Sequence, residues 1–152
     1  MPSEQFVILL VEDEPAHSEI VRRNFEKLRI ARRLIAVPDG QAALDYLYRR
    51  ADYSDPLTTP LPGLIMLDLR LPKVDGLQVL KVVKEDPALQ HIAVIILTTS
   101  ANELDIAKAF EYGANSYLVK PVDFGQFTEL LDAFGNYWLN WNHFPQGAKS
   151  TT

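Results

Sequence analysis

"LIMLDLRLPKVDG", residues 64–76, joins four apolar residues directly to an aspartate and then to Pro72, Asp75 and Gly76. A run as apolar as Leu64 to Leu67 reads as a strand covered on both faces. An isolated carboxylate resists leaving water, so a strand that finishes on Asp68 implies a partner for that charge. The turn-forming residues beyond it lead into a helix over 74–85, with Lys73 or Asp75 near its start.

The same unit, a short apolar run followed by a helical period, recurs along the chain. Strands are predicted at Val7–Val11, Arg33–Val37, Leu64–Leu67, 93–97 and Ser116–Val119. Helices are predicted over 15–28, 41–50, 74–85, 103–112 and about 123–141, with Pro15 at a favoured first-turn position and Gly113 as a stop. Such alternation implies an α/β fold, a doubly wound parallel sheet with helices on both faces. Residues 51–63, with three prolines and Gly63, read as a long loop inside one domain spanning 1–152, its core at about 6–135.

Composition narrows the function. The chain is 47% hydrophobic and 23% charged, as in ordinary globular proteins, and its net charge of −5 argues against nucleic acid as a partner. A local exception is "RRNFEKLRIARR", residues 22–33, where six of twelve residues are Lys or Arg; a solvated helix face explains it without a binding patch. The absence of cysteine excludes disulfides, thiolate metal sites and cysteine nucleophiles. The apolar run from Phe6 to Val11 is too short for a signal segment and nothing reaches the length of a membrane span, so a cytoplasmic protein without a membrane partner is expected.

Four predicted strands end in polar chemistry: Glu12 and Asp13, Asp68, Thr98 to Ser100, and Lys120 with Pro121. In an open α/β sheet ligands bind beyond the carboxyl ends of the strands, where strand order reverses. With the first and third strands adjacent, Glu12, Asp13 and Asp68 converge. At about 4 Å and an effective dielectric near 20, each like-charged pair costs roughly 4 kcal/mol. A hard divalent cation such as Mg²⁺ relieves that repulsion, and so does the Lys120 ammonium. Together with the Thr98 hydroxyl, these groups describe a site for a phosphoryl group carried on Asp68, since an aspartate can act as a nucleophile and form an acyl phosphate. Taken singly, each residue has a plainer reading. Asp13 suits a helix N-cap, and Thr98 or Ser100 suits the cap of the fourth helix.

"LLVEDEP" (9–15), "MLDLRLPKVDG" (66–76), "ILTTS" (96–100) and "GANSYLVKPVD" (113–123) together resemble the receiver domain of two-component response regulators. That resemblance implies a flavodoxin-like (βα)5 fold with strand order 2-1-3-4-5. It implies Asp68 as phosphoacceptor, Asp13 as a direct Mg²⁺ ligand, Glu12 as a second acid acting largely through water, and Arg70 as donor of a backbone carbonyl to the metal. Thr98 then corresponds to the switch hydroxyl, Lys120 to the phosphate-pairing lysine ahead of an often cis Pro121, and Tyr117 to an aromatic switch whose plainer reading is a half-buried strand residue. The family varies at the positions of Arg70 and Ser100, which flank the phosphoryl group, and Thr99 stands where a small alanine is common. The implied partner is a sensor histidine kinase or phosphotransfer protein. The "LTTS" run, the proline-bearing loop and the ending "NYWLNWNHFP" (136–145) give a narrower likeness to regulators paired with cyanobacterial phytochromes and bacteriophytochromes.

Phe127, Leu131, Phe134, Trp138 and Trp141 step by four and three, one face of a last helix. Phe127, Leu131 and Phe134 suit the core. The tryptophans lie beyond it, and exposed tryptophans favour interfaces, so a homodimer on the fifth strand and helix, with Phe134, Trp138 and Trp141 at its interface, is weighed against a tail folded back on its own domain. Other functions fit less well. An aspartate-nucleophile phosphohydrolase needs a second acid where Arg70 stands, and a nucleotide or flavin binder needs a glycine-rich loop where the chain has "EDEPAH". A phosphorylation-independent adaptor would not need Asp68, Thr98 and Lys120 together. His17, His91 and His143 are scattered and imply no zinc site.

Overall fold

The computed structural model describes residues 6–27 and 33–145. Five parallel strands, β1 (Val7–Val11), β2 (Arg33–Val37), β3 (Leu64–Leu67), β4 (Ala93–Thr98) and β5 (Ser116–Val119), form one sheet in the order β2-β1-β3-β4-β5. The helices are α1 (Pro15–Lys27), α2 (Gly40–Leu47), α3 (Gly76–Glu85), α4 (Glu103–Glu111) and α5 (Phe124–Phe134). The alternation implies the parallel sheet, and the strand order is the flavodoxin-like one that the family resemblance implies.

Successive residues of a strand face opposite sides, and β1, β3 and β4 supply both cores at once. Leu9, Val11, Ile65, Leu67, Val94 and Ile96 pack with Val79, Leu80 and Val83 of α3 on one face. Ile8, Leu10, Leu64, Met66, Ile95 and Leu97 pack with α1 and α5 on the other, against Val21, Phe25, Phe127, Leu131 and Phe134. Strand order reverses at β1, so a crevice opens at the carboxyl ends of β1 and β3. Ladder bonds carry the pairing just past the strands: Glu12 N–H donates to the Val37 carbonyl (3.0 Å), Asp68 N–H to Val11 (3.1 Å) and Lys120 N–H to Thr98 (2.7 Å). The polar strand ends are thereby held in register.

Helix α3 starts two residues later than the sequence pattern suggests. A Cβ on Gly76 would lie 2.2 Å from the Asp68 carbonyl oxygen and 2.6 Å from Leu69 Cα, so only glycine lets the helix start sit on the backbone that carries Asp68. Asp75, outside the helix, caps it by accepting from Gln78 N–H. Helix α4 is capped by Asn102, whose side chain accepts from Leu104 and Asp105 N–H, which leaves Thr98 and Ser100 for other work. The Lys120–Pro121 bond is trans, since no peptide bond among the described residues is cis.

The last helix departs most from expectation. Its α-helical part ends at Phe134, and Gly135–Trp141 continues as a π-helix. Bonds spaced i to i+5, such as Asn142 N–H to the Tyr137 carbonyl at 2.7 Å, widen the turn and shift the phase of the side chains. Leu139, off the expected stripe, is buried at 4% exposure, whereas Trp141, on it, is 71% exposed. Phe134 lies inside the protomer, stacked on Phe25 at 6.0 Å. Trp138 packs on its own chain, 6.4 Å from Phe134 and 6.1 Å from Phe144, which in turn reaches Phe6 at 4.8 Å. Of the three residues expected at a dimer interface, Trp141 alone is mostly exposed. Part of the basic segment, residues 28–32, and the tail beyond 145 lie outside the described residues; Arg22 and Arg23 within it pair with Glu19 on the exposed face of α1.

Candidate functional site

The carboxyl ends of β1, β3 and β5 bring Glu12, Asp68 and Lys120 together in a nearly dry rim, at 4%, 6% and 5% exposure. Lys120 reaches across the end of β4, and its Nζ donates to Glu12 Oε1 at 2.6 Å and to Asp68 Oδ2 at 2.9 Å. The other oxygens are held by backbone. Glu14 N–H donates to Glu12 Oε2 (3.1 Å) and Arg70 N–H to Asp68 Oδ1 (3.1 Å). The compensation that a strand-end aspartate requires is therefore an ammonium plus a main-chain donor.

Burial pushes the Glu12 carboxyl up to about 7, and the hydrogen bond and charge of Lys120 pull it back only part of the way. Asp13 is the exposed member of the group. Among the described residues its carboxylate takes no hydrogen bond, and the first helical bond of α1 is accepted by the Glu14 carbonyl instead (3.1 Å), so Asp13 is not serving as a cap. Glu12, Asp13 and Asp68 each offer one oxygen within 4.8 Å of the others. Three hard oxygen donors, two buried and one facing solvent, fit a divalent cation that keeps part of its water shell. Asp13 also lines a cleft of about 570 Å³ with Leu69, Arg70, Leu71, Pro72 and Asp105, an open approach to the rim.

Thr98 is wholly buried, and its Oγ1 accepts a long bond from Ser100 N–H (3.4 Å). Tyr117 is half-buried with its hydroxyl donating to the Ser100 carbonyl (2.9 Å); burial raises its phenol above the ordinary value. Arg70 and Ser100, the two flanking positions, are both drawn to one acceptor. Arg70 Nη2 and Ser100 Oγ each donate to Asp105 Oδ2, at 2.9 and 2.7 Å. The Arg70 guanidinium is thus turned toward α4.

His17 is the residue that sequence reasoning passed over. From the first turn of α1 its Nδ1 lies 2.9 Å from Lys120 Nζ and 3.8 Å from Glu12 Oε2. Its ring meets the Phe127 ring edge-on at 5.8 Å. Burial and then the Lys120 charge hold the imidazole below its ordinary value. A lone histidine four positions after Asp13 carries no spacing signal, and only the placement of α1 over the sheet edge reveals it.

Residues 8–132 match the family model described as the response regulator receiver domain. The "Probable methanogenesis regulatory protein FilR2" of Methanothrix harundinacea (strain 6Ac) is 42% identical over 140 residues, covering 92% of this chain and 88% of the relative. Response regulator Rcp1 of Synechocystis sp. (strain ATCC 27184 / PCC 6803 / Kazusa) is 39% identical over 133 residues, 88% of each chain. The crystal structure of the Mn²⁺-bound form of Rcp1 superposes with a TM-score of 0.87 at 38% identity, covering 92% of this chain and 99% of the other. The phosphorylated cyanobacterial phytochrome response regulator RcpA superposes equally well, TM-score 0.87 at 33% identity, covering 93% and 99%.

Proposed function

The chain belongs to the response regulator receiver domain family, and from that membership and the geometry of the rim we propose that Asp68 is its phosphoacceptor. The observation that carries the reading is the Lys120 ammonium bridging two buried carboxylates, with Asp13 exposed beside them. An oxygen of Asp68 attacks the phosphorus of a donor, the bond from phosphorus to the donor breaks, and the donor leaves with the electron pair. Lys120 transfers a hydrogen bond from Asp68 Oδ2 to a phosphoryl oxygen, offsetting the added charge. Thr98, whose hydroxyl is held only by a long bond, turns to donate to another phosphoryl oxygen. Tyr117 is the aromatic that reports this movement at the surface of β5, through the Ser100 carbonyl that it already holds.

The rim residues would hold Mg²⁺ through Glu12, Asp13, Asp68 and the Arg70 carbonyl, and the ion when bound supplies positive charge against the phosphoryl oxygens. The donor is a sensor histidine kinase or a phosphotransfer protein. The likeness to the cyanobacterial phytochrome response regulator RcpA supports a phytochrome-type kinase. The chain acts on no separate substrate and catalyses only its own phosphorylation and dephosphorylation. A homodimer through β5 and α5 is part of the proposal, with the exposed Trp141 at its interface. A sedimentation profile that stays monomeric at high micromolar concentration, phosphorylated or not, removes the dimer.

Incubation with acetyl phosphate and Mg²⁺ tests the phosphoacceptor. The expected result is a hydroxylamine-labile gain of one phosphoryl mass that is absent in Asp68→Asn. Persistent labelling of Asp68→Asn would overturn the assignment.

A further inference from the structure

An ammonium has three N–H donors and no acceptor. In this protein each of the three is taken: Glu12 Oε1 at 2.6 Å, Asp68 Oδ2 at 2.9 Å and His17 Nδ1 at 2.9 Å. The third acceptor differs from the others in two ways. It is neutral, because a nitrogen that accepts from an ammonium carries no proton, so the ring must hold its proton on Nε2. It is also outside the group of oxygens that gather within 4.8 Å for a cation.

We propose that His17 is a positioning residue, whose Nδ1 keeps the Lys120 ammonium aimed at Asp68 while the other two acceptors change partners. The proposal rests on the phosphoacceptor reading above. In that reaction Asp68 forms a bond to phosphorus, and Glu12 would be shared with a divalent cation where one is held at the rim, so the hold of both carboxylates on Lys120 would loosen as the acyl phosphate forms. A flexible lysine left without anchors loses its aim, since its four-carbon stem has many rotamers to explore. His17 is itself fixed. It sits in the first turn of α1, and its ring is set edge-on against Phe127, a buried core residue of α5. A neutral acceptor also suits a rim that already holds three carboxylates, where a fourth anion would add repulsion and compete for the ammonium.

The test uses the full chain with acetyl phosphate and Mg²⁺, reading the rate of acyl-phosphate formation by intact mass. His17→Phe keeps a ring against Phe127 and removes the acceptor. His17→Asn places an amide oxygen close to the position of Nδ1. The rate should fall about tenfold in His17→Phe, as expected for one lost charge-assisted hydrogen bond, and stay within about twofold of the parent in His17→Asn. Equal rates in His17→Phe and the parent, or an equal loss in both variants, overturn the proposal. A second readout needs no phosphoryl chemistry. Nitrogen NMR of the phosphate-free protein should show His17 protonated on Nε2 with Nδ1 bare, a preference lost in Lys120→Met. A proton on Nδ1 contradicts the contact. A protein that takes no label at Asp68 refutes the phosphoacceptor reading, whereas the tautomer still decides whether His17 holds Lys120.

Discussion

Two sets of ion pairs in this protein have nearly the same geometry and opposite significance. On α1, Arg22 meets Glu26 at 2.6 Å and Arg23 meets Glu19 at 2.7 Å, in water along an exposed helix face. At the sheet rim, Lys120 meets Glu12 at 2.6 Å and Asp68 at 2.9 Å, with side chains almost fully withdrawn from solvent. Distance alone does not separate them; surroundings do. Exposed pairs are screened and their two states differ little in energy. Buried charges have given up hydration and depend on each other for compensation, so removing one partner exposes the full cost. Such an arrangement gives weak net stability for the charge it carries, and its value here is chemical: it keeps a carboxylate aimed and dry.

The largest expected effect follows from breaking the buried set. In Lys120→Met, Glu12 and Asp68 face each other without their cation, and the metal-free protein should lose about 3–5 kcal/mol in urea unfolding at neutral pH. The loss should shrink when Mg²⁺ is added. A Lys120→Met protein as stable as the parent at neutral pH would place the rim in the same class as the α1 pairs.

A smaller effect comes from the Glu12 proton. Its folded-state value of about 7 lies above the ordinary 4.5, so between those limits the folded protein binds a proton that the unfolded chain releases. The stability that this proton contributes is fully present below about pH 4.5 and is lost as pH rises through about 7. Divalent affinity should move the opposite way, rising over the same window as the carboxylate becomes available, with protons released on binding. Calorimetry in buffers of different ionisation enthalpy checks this, and cation uptake that is flat from pH 5 to 8, on the order of the width of that window, contradicts the assignment. The smallest effect belongs to α1. Glu26→Ala should leave the melting temperature unchanged within error, and high salt should add nothing to the difference.

The features legible in the sequence were those with a period or a terminus. The apolar runs of β1, β3 and β4 announce strands covered on both faces, and the acids placed directly after β1 and β3 announce the rim, because a charge at the end of such a strand has few plain explanations. Pro72, Asp75 and Gly76 mark the turn into α3, and the close approach of Gly76 to the Asp68 backbone shows only in the structure. What escaped was set by geometry that no spacing encodes. His17 sits among charged helix residues and gains meaning only when α1 lies against β5's end. Leu139 lies outside the stripe read at the α-helical period, and it is buried because a π-turn after Gly135 changes the angle per residue. The sharing of Asp105 between Arg70 and Ser100 joins two loops and a helix, and appears only once all three are placed.

The central claim is that the rim exists to hold phosphorus on one carboxylate. Borohydride reduction of the acetyl phosphate-treated protein, followed by peptide mass mapping, tests it most directly, because the reagent converts an aspartyl phosphate to homoserine where it stands. The account predicts homoserine in place of Asp68 and at no other acid, dependent on Mg²⁺. Reduction at Asp13 or Glu12, or none at all under conditions that label the chain, would contradict it.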